Sequence, residues 1–508
     1  MQAMASGAAG RQCLRRVALV CSRKAEAILF GQMRPMTASH LYRPPAPRPL
    51  SPLVSLLRVL SSQPRSLLGL VPKQAYTEMV TPLGYSRRGI LLVNDPEITR
   101  TILTNPLEHF PKNDLMVGAL EPLVGESIFV SDGAAWRRQR QMVEPAFSHM
   151  GIARAFRWMR EAVDDYERHL DGVAARGEPI SLDAAMSHLT ADIICRTIFS
   201  KSLEIGTARD VFTSFAEFER SVASVDLYQL IVGKPWAKVR QPDHVLSACE
   251  RIRAHIDALL APALEAGSTK AGGVISDQAG GDNVAEARGD IVADLVAARD
   301  ATTGEGFTRK ELIDQIGVFF LAGHETTASV LTWAFFILSQ RPDMVERLRA
   351  EIDAVVGSGE VELGHVKKLD LVRDVFRETL RLYPPITFIP RVAAVDTQIG
   401  RYRAKRGTMI MIAPWTTHRH QALWPHPDRF DPDRFTRDEI IPGSYMPFGL
   451  GPRICVGAAF ATIESGLMLA RLVRRYDFEA IAPDAVKPVA RLTTRPASEI
   501  MMRVRRRG

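Results

Sequence analysis

Along most of the chain apolar residues recur at three- and four-residue spacing, the period of helices with one buried face. The runs "AAWRRQRQMVEPAF" (134–147), "GIARAFRWMREAVDDYERHLDGV" (151–173), "HVLSACERIRAHIDALLAPALEA" (244–266) and "PDMVERLRAEIDAVV" (342–356) carry it. Strand patterns are short and gathered near 82–94 and 386–412. The expected fold is therefore mainly α with small β-sheets, and no alternation of strand and helix suggests a doubly wound nucleotide fold. One segment, 307–342, is apolar on nearly every face and should run through the core. Thr308 followed by Glu311 forms a capping box at its start, and Pro342 ends it. As a continuous helix it would reach roughly 50 Å.

The middle of that segment, "AGHETT" (322–327), breaks the apolar pattern. Gly323 costs about 1 kcal/mol relative to alanine inside a helix. The Thr326 hydroxyl stands four residues after Ala322 and can bond its carbonyl, opening the helix locally. Small residues beside the Glu325 carboxylate and the Thr326 alcohol form a groove for a small ligand and water. A solvated kink would explain "GHET" alone, but not between "IGVFFLA" and "SVLTWAFFIL". His324 reads as exposed or as a structural donor.

Charge narrows the options. Residues 1–77 hold eleven basic residues and one acidic residue, Glu26, so the net +8 belongs to the amino-terminal arm and the body is near neutral. A nucleic-acid-binding body loses its support. The arm reads either as a mitochondrial-type targeting segment or as sequence ahead of a true start at Met33 or Met36. "RPPAPRP" (43–49) reads as a stiff linker, giving an arm and linker over 1–50 and one folded domain over 51–508. The 51–72 stretch is interrupted by Arg58, Pro64 and Arg65, so it can lie on a membrane surface or cover the core, and no transmembrane anchor is expected. "AGSTKAGGVISDQAGGDNVAEARGD" (266–290) is a flexible loop by composition.

Candidate chemistry comes from three groupings. Glu378 and Arg381 lie three apart on an otherwise apolar helix that stops at Pro384, and Arg434 of "PDRF" offers a third member of a structural network. Trp136 and Arg140 lie four apart on one helix face, a donor pair suited to a carboxylate or phosphate. The five cysteines are scattered, odd in number and without a CxxC pair, which argues against disulfides and clustered zinc. Cys455 nevertheless sits in "FGLGPRICVG" (448–457), at the start of an amphipathic helix where backbone N–H groups and the dipole favour a thiolate. Gly451 permits the turn, Gly457 lets the helix approach something flat, and Phe448 shields the sulfur.

On these residues the chain resembles the cytochrome P450 family of haem-thiolate monooxygenases. Phe448, Gly451, Arg453, Cys455 and Gly457 match the fixed positions of the family's cysteine signature. A chance match is expected on the order of 10⁻⁴ times per chain. The order of the other motifs also matches, and the resemblance covers about residues 75–505. It implies a triangular helical prism with a long central helix over a haem b and a cysteine-ligand loop beneath. It implies Cys455 as the iron ligand, Trp136, Arg140, Arg391 and Arg453 around the propionates, and Ala322 and Gly323 over the distal face. Thr326 would hydrogen-bond oxygen there and Glu325 would relay protons.

The expected activity is insertion of one atom of O₂ into an apolar small molecule, by hydroxylation or epoxidation. Two electrons would come from a separate ferredoxin or flavodoxin with its NAD(P)H reductase, docked near Arg137, Arg138 and Arg453. A haem-thiolate peroxygenase or isomerase needing no O₂ activation is the alternative, and a haem-based sensor a third. Expected substrate-lining segments are 112–128, 209–235, the region of Phe319, Ala322 and Thr327, the run Ile386–Ile389, and Leu492–Thr494. A monomer in the cytoplasm is expected, with a mitochondrial or peripheral-membrane location if the arm is genuine.

Overall fold

The computed structural model describes residues 42–51, 54, 67–83, 89–105, 109–112, 114–203, 213–215, 218, 241–271 and 290–507. The expectations for the arm over 1–41, most of 209–235 and the loop core 272–289 lie outside them. Residues Met1–Tyr42 and Arg43–Gly508 form separate compact units, and the described helices and strands all belong to the second. The proline-rich segment lies against its domain: the Tyr383 hydroxyl donates to the Pro45 carbonyl at 2.6 Å.

The main helices in chain order are α1 (Pro96–Thr104), α2 (Asp114–Val124), α3 (Gly133–Val143), α4 (His149–Arg176), α5 (Leu182–Phe199), α6 (Asp243–Ala271), α7 (Ile291–Ala297), α8 (Arg309–Ser339), α9 (Pro342–Val356), α10 (Asp370–Leu382) and α11 (Ala458–Arg475). The strands are β1 (Val80–Leu83), β2 (Ile90–Val93), β3 (Ile180–Ser181), β4 (Ile389–Val392), β5 (Thr397–Ile399), β6 (Tyr402–Ala404), β7 (Met409–Ile412), β8 (Tyr476–Ala480), β9 (Pro488–Ala490), β10 (Thr494–Pro496) and β11 (Met501–Arg506). A four-stranded sheet runs β1-β2-β7-β4, with β2 and β7 parallel and the other neighbours antiparallel. The three-stranded sheet β3-β11-β8 and the pairs β9/β10 and β5/β6 complete the strands of the described residues.

The long helix forms as its sequence predicts. Thr308 accepts the Glu311 N–H and the Glu311 side chain accepts the Thr308 N–H, closing the capping box. Over 31 residues α8 extends about 46 Å. It remains α-helical through "AGHETT", so the expected opening does not interrupt the helix. Both α8 and α5 are buried on nearly all sides, and they pack against each other. Gly323 permits their closest approach, because a Cβ there would stand 2.7 Å from Cδ1 of Ile194. Trp333 stacks on Tyr383 with ring centroids 4.0 Å apart, tying α8 to the end of α10.

Candidate active site

The cysteine loop is shaped by its glycines and closed by its backbone. Gly449 and Gly451 have φ of +76° and +74°, and a Cβ on Gly451 would lie 2.6 Å from the Leu103 carbonyl of α1. The Cys455 N–H donates to the Phe448 carbonyl at 2.9 Å, and the loop then enters α11 at Gly457. Among the described residues Cys195 and Cys249 are buried, and burial pushes their thiols up to about 12 and about 11. Cys455 alone of the three is exposed. Its thiol is nevertheless raised by surrounding protein, while the Gly457 N–H and Arg140 pull it down. The sulfur therefore opens onto an interior space rather than bulk water. A thiolate there calls for a cationic partner on its open side. Gly457 leaves that side clear, since among the described residues, its chain neighbours aside, the only atom within 4 Å of its missing Cβ is the Cys455 Sγ, at 4.0 Å.

Beside the loop lies an excess of positive charge on buried and half-buried side chains. Arg453 donates to the Ser131 carbonyl at 3.0 Å and pairs with Asp132, and its guanidinium lies 4.4 Å from the Trp136 ring centroid. Its Nε has no hydrogen-bond partner among the described residues. Arg391 is 9% exposed, and its Nη1 donates to the Pro390 carbonyl. Burial, then Arg453, pushes it down to about 10. Lys112 bridges to Arg391 through the backbone, and its ammonium reaches the Phe129 and Ser131 carbonyls. Burial, then Arg453, pushes it down to about 7, against Asp132. Three cations thus share one half-exposed carboxylate. Such a site favours an anionic ligand, and a group bearing two carboxylates fits it. Arg140 is more committed: it pairs with Glu144 and donates to the Ile454 carbonyl, both at 2.7 Å, bracing the cysteine loop. Lys112 was missed from the sequence because its relation to Arg391 is a contact across 279 positions.

On α8, Ala322 is exposed and Thr326 half-buried where the surrounding turns are buried. The Thr326 Oγ1 donates to the Ala322 carbonyl at 2.6 Å, as the spacing predicts. His324 is 1% exposed, with Nδ1 2.7 Å from the Phe320 carbonyl, the structural donor expected of it. Glu325 turns into the protein. Thr493 donates to its Oε1 at 2.7 Å, Arg495 Nε donates to Oε1 at 3.0 Å, and Arg495 Nη2 pairs with Oε2. Burial works to raise this carboxyl, but Arg495 outweighs it and holds Glu325 below the usual range. Arg495 in turn reaches Asp183 at 2.7 Å and Ser187 at 3.2 Å. A second acid, Glu464 on α11, is buried and meets Thr327. Burial pushes it up to about 8, with Thr327 opposing. A carboxylate in the apolar run "ATIESGLMLA" was the available signal for Glu464; nothing local marks Arg495.

The expected structural network forms. Arg381 Nε and Nη2 donate to the Glu378 oxygens at 2.7 and 2.8 Å, and Arg434 Nε donates to Oε1 at 3.0 Å. Arg381 Nη1 also donates to the carbonyls of His418 and Pro427. His418, pushed down to about 3 by burial and then Arg381, stays neutral, and its Nε2 accepts the Met446 N–H at 3.0 Å. The network is thereby joined to the chain entering the cysteine loop. Two cations expected at a docking face are used internally instead: Arg138 pairs with Asp300 and Glu311, and Arg453 with Asp132.

The model of the family "Cytochrome P450" matches residues 44–504, and the chain belongs to that family. It is a cytochrome P450 monooxygenase, an oxidoreductase. Cyclooctatin synthase of Streptomyces melanosporofaciens is 31% identical, covering 86% of this chain and 90% of that one. Cyclooctat-9-en-7-ol 5-monooxygenase of the same organism is 30% identical, covering 84% and 87%. Protein LUTEIN DEFICIENT 5, chloroplastic, of Arabidopsis thaliana is 31% identical, covering 81% and 69%. In fold, the cytochrome P450DA haem domain matches with a TM-score of 0.72 at 23% identity, over 92% of this chain and 99% of that one. The family implies a haem-thiolate cofactor. No helix among the described residues is long and apolar enough to cross a membrane.

Proposed function

We propose that this chain hydroxylates or epoxidises an apolar small molecule with one atom of O₂, using electrons from a separate ferredoxin or flavodoxin and its reductase. The observation that carries the reading is the open Cys455 thiol beside three cations, Arg391 buried and Lys112 and Arg453 half-buried, that share a single carboxylate. A haem held there supplies the oxygen-activating redox chemistry. Cys455 is its thiolate ligand, while Lys112, Arg391, Arg453 and Trp136 bind its carboxylates and Arg140 braces the loop. Phe448 and Gly457 flank the sulfur, and Ala322 and Gly323 leave space on the opposite side. Thr326 holds a proton at Oγ1 beside that space. The apolar Ile386–Ile389 run suits an uncharged substrate, and the names of relatives, among them a carotene epsilon-monooxygenase and a cytokinin hydroxylase, are in keeping with oxygenation of small molecules. A cytoplasmic monomer is the proposed state.

One observation favours the alternative of a haem-thiolate peroxygenase: both Glu325 oxygens are engaged, so the carboxylate is not free to relay protons. The two readings separate on the oxidant. The monooxygenase consumes O₂ and NAD(P)H with a reductase at rates peroxide alone does not match; equal peroxide-driven turnover would favour the alternative. The ligand assignment is tested in Cys455→Ser. The reduced, carbon monoxide-bound protein should lose its thiolate-type Soret band. A variant that keeps both that band and its activity would overturn the assignment.

A further inference from the structure

Helix α2 and the residues after it, 125–132, form a strap with a closed base. The ammonium of Lys112, just before α2, reaches the carbonyls of Phe129 and Ser131, and Arg453 holds Ser131 and Asp132. Both feet of the strap therefore stand on the cation cluster beside Cys455. Between them α2 runs out to Val124, and the chain returns over α8. The Ile128 N–H donates to Gln315 Oε1 at 3.2 Å, and Gln139 Nε2 of α3 donates to the Glu126 carbonyl at 2.8 Å. Gln315 and Ala322 share one face of α8, about two turns apart. The strap thus crosses that face about 10 Å before the small-residue groove.

The far end of the strap is gripped by a buried carboxylate. Asp314 of α8 is 1% exposed, and its Oδ2 accepts the Glu126 N–H at 3.1 Å. Gly125, with φ of +49°, lets the chain turn over this group, because a Cβ there would overlap the carboxylate. Arg253 of α6 completes the grip. Its Nη2 pairs with Asp314 Oδ1 at 2.6 Å, and its Nη1 donates to the Leu123 carbonyl at 3.0 Å. The three helices converge at Gly317, whose Cβ position is 3.5 Å from the Leu123 carbonyl and 3.8 Å from Ile256 Cδ1 of α6. One guanidinium thus bridges α6 to both α2 and α8, at the seam where the strap meets α6.

Arg253 is built to let go. Its side chain is 24% exposed, so the guanidinium can turn into water. Lys310, 67% exposed and 3.8 Å from Asp314 Oδ2, remains as a counter-ion for the buried carboxylate. Parting the grip therefore does not strand an uncompensated charge, the outcome that makes most buried pairs costly to break. The contacts at the base of the strap involve none of these groups.

We propose that Arg253 latches the strap: closed, it seals the seam between α2 and α6, and open, it admits and releases small molecules bound for the haem side of α8. Arg253 acts through the strap, as a positioning residue. The inference goes beyond the oxygenation proposed above and rests only on a haem being held beside Cys455.

The test uses the folded holoprotein and phenylimidazole, an aromatic azole that ligates haem iron. Arg253→Met keeps the apolar stem and loses the guanidinium fork. Stopped-flow Soret traces should show azole association and dissociation both quickened about 5–10-fold, the worth of one hydrogen bond, with the Kd unchanged. Asp314→Asn should quicken the same two rates, and the double variant should go no further than the faster single one, since the two residues form one contact. A purely structural arginine would lower the melting temperature without moving both rates together. Hydrogen exchange gives a readout that needs no azole: amides of α2 should exchange about 5–10-fold faster in Arg253→Met, while those of α4 keep parent rates. Parent-like azole kinetics in folded Arg253→Met, or a Kd change carried by one rate alone, would overturn the latch, and so would parent-like exchange in α2. A parent holoprotein with no azole-induced Soret shift would count against the haem instead, and the exchange comparison would then decide the latch.

Discussion

Glu464 is buried on α11 with Thr327 as its neighbour and one carboxyl oxygen, Oε1, lacking a hydrogen-bond partner among the described residues. Burial disfavours the charged form, so the folded protein keeps its proton up to about pH 8, while the unfolded chain releases it near 4.5. Between those values the folded state binds more protons, and stability falls as pH rises. Over pH 5–8 the loss attributable to this one group is at most about 4 kcal/mol. Glu464→Gln cannot ionise and should lack that component. The stability difference between variant and parent should therefore move in favour of the variant from pH 5 to pH 8.5, read from urea midpoints. A difference that stays constant across the range would mean that Glu464 is ionised in the folded protein.

At the scale of elements, polar groups staple the hairpin β9/β10 to α8. The Thr494 carbonyl accepts Ser329 Oγ at 2.7 Å and Trp333 Nε1 at 2.8 Å, and Arg495 pairs with Glu325 one to two turns earlier on the helix. Removing one partner of a buried pair leaves the other charge without compensation. Arg495→Leu should destabilise by about 3–5 kcal/mol, because Glu325 stays buried and unpaired. The double variant with Glu325→Gln should recover much of that loss. Thermal unfolding of the two single variants and the double checks it, and additive losses would mean that the pair is not coupled. This staple also marks the limit of sequence reading. Thr308 with Glu311, Thr326 with Ala322, and Glu378 with Arg381 are legible because helix geometry turns three- and four-residue spacing into contact. The Arg495–Glu325 pair spans 170 positions, and only the fold brings those together. Glu325 reads as a relay in the sequence because its local setting says nothing of the arginine that takes both its oxygens.

At the scale of the molecule, the network around Glu378 links three stretches of chain that must agree before the cysteine loop has a position. α10 supplies Glu378 and Arg381, the irregular segment before the loop supplies Arg434 and the carbonyls of Pro427 and Arg429, and His418 carries the connection to Met446. Glu378 and Arg381 are fully excluded from solvent, so their charges rely on this set of donors and acceptors. Two variants separate its roles in folding and in aligning the loop. Glu378→Leu removes the carboxylate from two buried guanidinium groups and should cost about 3–5 kcal/mol, yielding little folded protein. His418→Ala keeps the charges of that cluster but loses the acceptor of the Met446 N–H, the Nδ1 bond to the Arg381 carbonyl and the ring stacked on Tyr445, the hydrogen bonds accounting for about 1–3 kcal/mol. It should fold, yet hold its haem less tightly, because the loop carrying Cys455 is no longer fixed at its root. Haem transfer to an excess of apomyoglobin should be about tenfold faster than in the parent, and a larger share of the carbon monoxide complex should absorb without the thiolate-type band. Parent-like haem transfer in a His418→Ala protein with a lowered melting temperature would confine the histidine to stability. The alignment of the loop would then have to come from the contact of Gly451 with Leu103 and from the Arg140 bond to Ile454.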